Sequence, residues 1–208
     1  MSILSQILEH KIISIVRGTE PQHMLSVAQA LHAGGIRLIE VTMNTPGALE
    51  SIRLLNSEFG EDMAIGAGTV LDPESARAAL LAGASFLLSP SLNVETIRLT
   101  KRYGAISIPG AYTPTEIVTA YEHGADIVKI FPADAISPTF IKSLRGPLPQ
   151  IPLMPTGGID LHNIRAFVDS GAAALGVGGS LVPAKWDIHT DSLEQLTHKA
   201  AQFVRATQ

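Results

Sequence analysis

One phrase recurs along the chain: apolar residues at helical spacing, a glycine, then a short unbroken apolar run. It reads HAGGIRLIEVT, LAGASFLLSP, RYGAISIPG, EHGADIVKIFP and SGAAALGVGG. Gly34, Gly83, Gly104, Gly124 and Gly171 stand 49, 21, 20 and 47 residues apart, roughly two, one, one and two copies of a unit of a little over 20 residues. A glycine just past a helix supplies the left-handed C-cap that other side chains resist. The run after it lacks polar alternation, as a strand buried on both faces of a parallel sheet does. Filling the gaps predicts eight strands, near residues 12–18, 38–43, 64–70, 86–91, 105–111, 126–132, 151–156 and 173–179.

Helical patterns lie between these runs. Pro73, Pro114 and Pro138 suit first-turn positions, with Asp72, Thr113 and Ser137 before them as N-caps and Asn93 as a fourth. The first ten residues read as a short amphipathic helix. Strand and helix alternate without a linker, charge block or low-complexity tract. The predicted fold is α/β, a (β/α)8 TIM barrel with a short N-terminal helix, residues 1–208 forming one domain. A doubly wound open sheet is the weaker alternative, because GAGTVLDPES follows a strand but lacks the G-x-G-x-x-G spacing.

Composition narrows the setting. Apolar residues make up 46% of the 208 and charged residues only 16%, against about 25% charged in average soluble domains. So apolar a chain must bury most of itself, which excludes a disordered or polyelectrolyte protein. A net charge of −4 argues against nucleic acid or an anionic membrane as partner. Without cysteine there is no disulfide, thiolate nucleophile or thiolate-bound metal. No apolar run reaches the roughly 20 residues of a membrane span, and the N-terminus lacks the features of a secretory signal. The expected setting is cytoplasmic.

Scarce charge makes its placement informative. Three charges fall inside predicted strands: Arg17 in IISIVRG, Glu40 in LIEVT and Lys129 in IVKIFP; Asp126 stands at a strand entrance, as a surface or turn residue. Inside a parallel strand both faces are dry, so an unpaired charge is costly and the three are expected to converge. Alternation groups Glu40 with Leu38 and Thr42, Lys129 with Ile127 and Phe131, and Thr69 with Ile65 and Ala67. All three polar positions lie toward strand C-termini, the catalytic end of such barrels. A desolvated lysine has a lowered pKa, and its neutral amine attacks a carbonyl carbon to give an imine. Glu40 can shuttle protons at that imine and at the carbon next to it. Arg17 is suited to binding carboxylate or phosphate. The plainer alternative is a structural ion pair filling the barrel. PTGGI and GVGGS end the last two strands, where barrels of this kind bind phosphate on exposed N–H groups; Ser180 can add a hydroxyl.

The remaining candidates read as ordinary surface or packing. His10, His23, His32, His123, His162, His189 and His198 occupy helical or loop segments without metal-ligand spacing, so no metal site is expected. Arg77, Arg98, Lys101 and Arg102 read as a solvated helix face, and Trp186 as packing or an interface anchor.

In order and spacing, IVRG (15–18), GGIRLIEVTMNT (34–45), IGAGTVLDPE (65–74), LSPS (88–91), IPGAYTPTE (108–116), IVKIFPA (127–133), MPTGGI (154–159) and GVGGSLV (176–182) resemble the bacterial 2-keto-3-deoxy-6-phosphogluconate / 4-hydroxy-2-oxoglutarate aldolases over nearly the whole chain. These are class I aldolases with a (β/α)8 fold. The resemblance implies Lys129 as the Schiff-base lysine, Glu40 as general acid/base working through a water, and Thr69 holding the pyruvate carboxylate with an arginine. It implies that Thr156, Gly157, Gly158, Gly178, Gly179 and Ser180 line the phosphate end. It further implies a homotrimer without metal or organic cofactor, whose partners are pyruvate and a phosphorylated keto acid. Several members carry Arg where this chain has Asn44, so the cation falls to Arg17, on carboxylate, phosphate or both in turn. Thr156, where the galactonate-specific sister enzymes tend to have Val, points to the gluconate epimer.

The expected function is therefore reversible cleavage of 2-keto-3-deoxy-6-phosphogluconate to pyruvate and glyceraldehyde 3-phosphate, with 4-hydroxy-2-oxoglutarate as a further substrate. The galactonate epimer is the alternative within the family. A phosphosugar isomerase is a rival enzyme, but it normally needs paired acid/base groups or metal-binding histidines, and this chain has one strand carboxylate. A non-catalytic phosphometabolite-binding barrel is the alternative of another class.

Overall fold

The glycine-punctuated units fold much as their pattern dictates. In the computed structural model, which describes residues 1–60, 62–184 and 192–208, the first half runs α1 (Ile3–His10), β1 (Ile12–Val16), α2 (Pro21–Ala33), β2 (Leu38–Thr42), α3 (Ala48–Phe59), β3 (Ala64–Gly68), α4 (Pro73–Leu81) and β4 (Phe86–Leu88). The second half runs α5 (Val94–Arg102), β5 (Ile106–Ile108), β6 (Gly110–Ala111), α6 (Pro114–Glu122) and β7 (Val128–Ile130). It continues through a 3-10 turn (Ala133–Ala135), α7 (Pro138–Arg145), β8 (Leu153–Pro155), α8 (Ile164–Asp169), β9 (Leu175–Val177) and α9 (Leu193–Thr207). The pairing is parallel throughout, in a six-stranded sheet ordered β5-β4-β3-β2-β1-β9 and a three-stranded sheet ordered β6-β7-β8.

Two links join the sheets into a curled surface. At one, only Pro109 separates β5 from β6, so the predicted fifth strand is split because proline has no N–H for the ladder. At the other, Thr156 bridges Gly176 in parallel. The helix-facing side is one continuous apolar layer; the opposite side holds a smaller cluster that includes Ile13, Leu38, Phe86, Ile127 and Met154. Ile7 of α1 is fully buried in that inner cluster, a burial that contributes about 1.5–3 kcal/mol for a side chain of this size. Since its partners stand early in their strands, α1 covers the N-terminal strand ends and the C-terminal ends stay open. Gly66 belongs to the same face: a Cβ there would strike the Phe86 ring, which is fully buried.

Local chemistry sets the boundaries. Asp72 and Asn93 accept the Ser75 and Thr96 N–H groups at 2.6 and 2.9 Å, and Thr113 forms a capping box with Glu116. Ser137 caps α7 with its backbone only. Gly83, Gly104, Gly124 and Gly171 are left-handed as expected, but after α2 the left-handed residue is Gly35 (φ 94°), not Gly34 (φ −79°). Gly34 serves close packing instead: a Cβ there would lie 2.5 Å from that of Ala200 in α9 and 2.6 Å from the Thr197 carbonyl oxygen.

The supposed solvated face also needs correction. Lys101 pairs with Asp126 at 2.7 Å, and Asp126 accepts the Ser107 N–H at 2.8 Å, tying α5 to the sheet. Arg77 stacks 4.4 Å over Tyr103, whereas Arg98 and Arg102 are exposed. Trp186 and His189 lie outside the described residues. Among the described residues no helix is long and apolar enough to cross a membrane, and no cluster of His, Asp or Glu could hold a metal ion.

Candidate active site

At the open C-terminal ends lies a cavity of about 440 Å³. It brings together Arg17, Glu40, Thr69, Lys129, Thr156, Gly157, Gly158, Gly178, Gly179 and Ser180, every residue that the sequence pattern or the resemblance put at the site. Ile15, Pro90, Phe131, Ile159, Asp160, Val182 and Ala184 complete the lining. Strand alternation could have found two of these, since Ile15 shares a face with Arg17 and Phe131 with Lys129. For Val182 and Ala184, beyond the last strand, the sequence carries no such signal.

Lys129 and Glu40 reach the cavity because each is an inward residue of its strand. Val128 and Ile130 pack in the helix-side layer while Ile127 lies in the inner cluster, which turns the Lys129 side chain inward. Only 7% of Lys129 is exposed, and its Nζ lies 5.0 Å from the Phe131 ring centre. Glu40 is 2% exposed, and its Oε2 has no hydrogen-bond partner. A Cβ on Gly68 would sit 2.8 Å from the Glu40 carboxyl carbon, so β3 makes room for this carboxylate by having glycine there. Among the described residues Glu40 forms no ion pair within 4.0 Å with Lys129 or Arg17. The closed ion pair of the structural alternative is therefore not formed.

The two groups still influence each other. Burial pushes the Lys129 amine below the ordinary lysine range; Glu40 opposes that fall and Arg17 adds to it. Burial pushes the Glu40 carboxyl above the ordinary carboxylate range, against the pull of Lys129 and then Arg17. The pair thus combines an amine that gives up its proton readily with a carboxyl that retains one.

Thr69 arrives by a route that alternation misses. Ile65 and Ala67 face the helices, which would turn Thr69 the same way, but β3 ends at Gly68 and the chain leaves the pleat there. Thr69 lines the cavity while Val70 binds back to the Leu88 carbonyl at 2.9 Å. Arg17 stands exposed just past β1, and its Nη1 donates to Asn44 Oδ1 at 3.2 Å.

Opposite lies a cradle of main-chain amides. The N–H groups of Gly157, Gly158, Gly179 and Ser180 donate to no acceptor among the described residues, and Gly157 and Gly158 have φ 97° and 68°. The Ser180 hydroxyl donates to the Ile159 carbonyl and ties the two loops together. Thr156 is pinned below, its N–H on the Ile130 carbonyl and its own carbonyl on the Ala133 N–H.

Known proteins similar in sequence to this chain include several aldolases. The KDPG and KHG aldolase family matches residues 3–198. The 2-dehydro-3-deoxy-6-phosphogalactonate aldolase of Escherichia coli is 36% identical over 196 residues, 94% of this chain and 93% of its own. The 2-dehydro-3-deoxy-phosphogluconate aldolase of Pseudomonas aeruginosa is 38% identical over 161 residues, 77% of this chain and 73% of its own. The KDPG aldolase of Legionella pneumophila, solved with pyruvate captured at low pH as a covalent carbinolamine, superposes with a TM-score of 0.82 at 28% identity, covering 99% of this chain and 97% of its own.

Proposed function

The chain belongs to the KDPG and KHG aldolase family, and from that premise we propose that it cleaves 2-keto-3-deoxy-6-phosphogluconate reversibly to pyruvate and glyceraldehyde 3-phosphate through an imine on Lys129. One observation carries the reading: a buried lysine amine and a buried, unpaired carboxylate face the same cavity without touching. The Lys129 amine adds to the C2 carbonyl, and Glu40 gives its proton to the carbinolamine hydroxyl, which leaves as water and yields a protonated imine beside the Glu40 carboxylate. Glu40 takes the C4 hydroxyl proton, the C3–C4 bond breaks, and its electrons pass into the imine as an enamine while the aldehyde departs. Glu40 returns the proton to C3, and water hydrolyses the imine, releasing pyruvate and the amine. Arg17 and Thr69 hold the carboxylate; Thr156, Gly157, Gly158, Gly178, Gly179 and Ser180 hold the phosphate end. The covalent capture of pyruvate by the Legionella pneumophila relative supports this chemistry.

The same reading closes the sheet as a single-domain (β/α)8 barrel, with β5 and β6 as one strand broken at Pro109 and the Thr156–Gly176 bridge sealing β8 to β9. A homotrimer comes with the resemblance, and the cytoplasmic setting is carried over from the composition of the chain. The galactonate epimer is the second reading, favoured by the Escherichia coli relative. Measuring pyruvate release from the gluconate epimer, the galactonate epimer and 4-hydroxy-2-oxoglutarate decides between them. The highest kcat/KM is expected on the gluconate epimer, and a higher value on either other compound overturns that choice.

A further inference from the structure

Arg17 stands just past β1, the strand between the two ends of the cavity. β2, with Glu40, flanks it on one side, and β9, leading into the Gly178–Ser180 cradle, on the other. A long cation on such a strand can turn to either flank, and two hydrogen bonds from the turn after β2 decide which. The guanidinium has only donors to offer, so the Asn44 atom facing it at 3.2 Å is the amide oxygen. Next to it, Thr45 Oγ1 accepts the Gly18 N–H at 2.9 Å. Thr45 is itself 2.7 Å from the hydroxyl of Thr42, a residue with no exposed surface, which anchors the turn in the sheet. On the far side Gly18, at φ 75°, lies so close to the Ala184 carbonyl that no Cβ would fit. The backbone at Arg17–Gly18 is thus held from both sides, and Asn44 restrains the tip.

We infer that Asn44 is a positioning residue that holds the Arg17 guanidinium on the β2 flank, over the carboxylate end of the bound keto acid. This rests on the imine reading of the site and deepens it, because it assigns the exposed Arg17 cation to the carboxylate and leaves the phosphate to main-chain amides. Pyruvate carries the carboxylate without a phosphate, and inorganic phosphate is the converse probe, so the two ends can be titrated separately.

The test is the pyruvate dependence of borohydride trapping for wild type, Asn44→Ala, Arg17→Ala and the double variant, together with inhibition of cleavage by inorganic phosphate. Loss of one hydrogen bond should raise half-saturating pyruvate about fivefold for Asn44→Ala. The trapping rate at saturation and the inhibition constant of phosphate should stay within about twofold, the KM-against-kcat split of a binding contact. Arg17→Ala should cost at least about tenfold, as lost bonds to a charged group do. In that background Asn44→Ala should add nothing, because it acts only through Arg17. If Arg17→Ala weakens pyruvate but Asn44→Ala does not, or if the two effects simply add, the positioning role is overturned while the imine reading stands. Weakening of phosphate alone puts Arg17 at the other end and overturns the assignment. If Arg17→Ala changes neither probe, Arg17 holds no anion and both readings of it fail.

Discussion

Gly66 and Gly68 share one face of β3, two residues apart, and an alanine at each meets a different neighbour. At Gly68 the added Cβ would lie 2.8 Å from the Glu40 carboxyl carbon and 3.2 Å from Leu88 Cβ. Ordinary carbon contacts begin at about 3.5 Å, and Glu40 Oε1 lies closer still than its carboxyl carbon, so the carboxyl must retreat by more than about 1 Å. It can do so cheaply, because it ends a side chain that opens on the cavity, and Gly68 is not left-handed, so alanine adds no backbone strain. A catalytic group displaced by about 1 Å loses about 10²-fold in rate, or about 2.7 kcal/mol of barrier at 1.36 kcal/mol per tenfold. At Gly66 the added Cβ would strike the fully buried Phe86 ring, which has nowhere to go, and such overpacking costs about 1–3 kcal/mol. For a chain of this size that is about 2–12 °C in Tm. Cleavage rate and thermal melting, measured on both variants, should therefore separate: Gly68→Ala keeps its Tm within about 2 °C and loses about 10²-fold in kcat, while Gly66→Ala melts early with kcat nearly intact. Wild-type kcat in Gly68→Ala, or a melting loss there equal to that of Gly66→Ala, would refute the contact between β3 and the carboxylate.

Other consequences follow from the same site. Glu40→Gln should lower kcat by about 10²–10⁴-fold, the worth of a positioned acid/base; the acid limb of the wild-type kcat/KM profile, lying above the ordinary glutamate range because burial raises Glu40, should vanish with it. Burial lowers Lys129, so its share of stability is present above the ordinary lysine pKa and is lost as pH falls through the lowered value. Burial raises Glu40, so its share is present below the ordinary glutamate pKa and is lost as pH rises through the raised value. Lys129→Met removes the first cost but leaves Glu40 without its main countercharge; its Tm should equal or exceed wild type at pH 6 and fall as pH rises, and a lower Tm at pH 6 contradicts this. Ser180→Ala should raise KM by no more than about fivefold, since the hydroxyl is already bonded to Ile159; a 10²-fold rise would put that hydroxyl on the substrate.

Much of this was legible in residue pattern because burial and backbone geometry leave signatures in composition. Glycine past a helix marks its end, and a charge between Val128 and Ile130 stands out because desolvation makes it rare. What escaped depends on contacts between distant segments. Gly34 looks like a C-cap but is glycine because α9 lies against it, some 160 residues on. Lys101 looks solvated until Asp126 is brought beneath it. Alternation grouped Thr69 with Ile65 and Ala67, which face the helices, because it cannot see where a strand stops. Asn44 stood out only as a departure from the family, and its hydrogen bond to Arg17 spans two loops that nothing local relates.

The central claim is that Lys129 forms an imine with a keto acid. Incubating the protein with pyruvate and borohydride and locating the modification by peptide mass spectrometry tests it most directly. One reduced pyruvate adduct per chain, on Lys129, with none on Lys129→Met, is the expected result. An unmodified wild-type protein, or an adduct on another lysine, would contradict it.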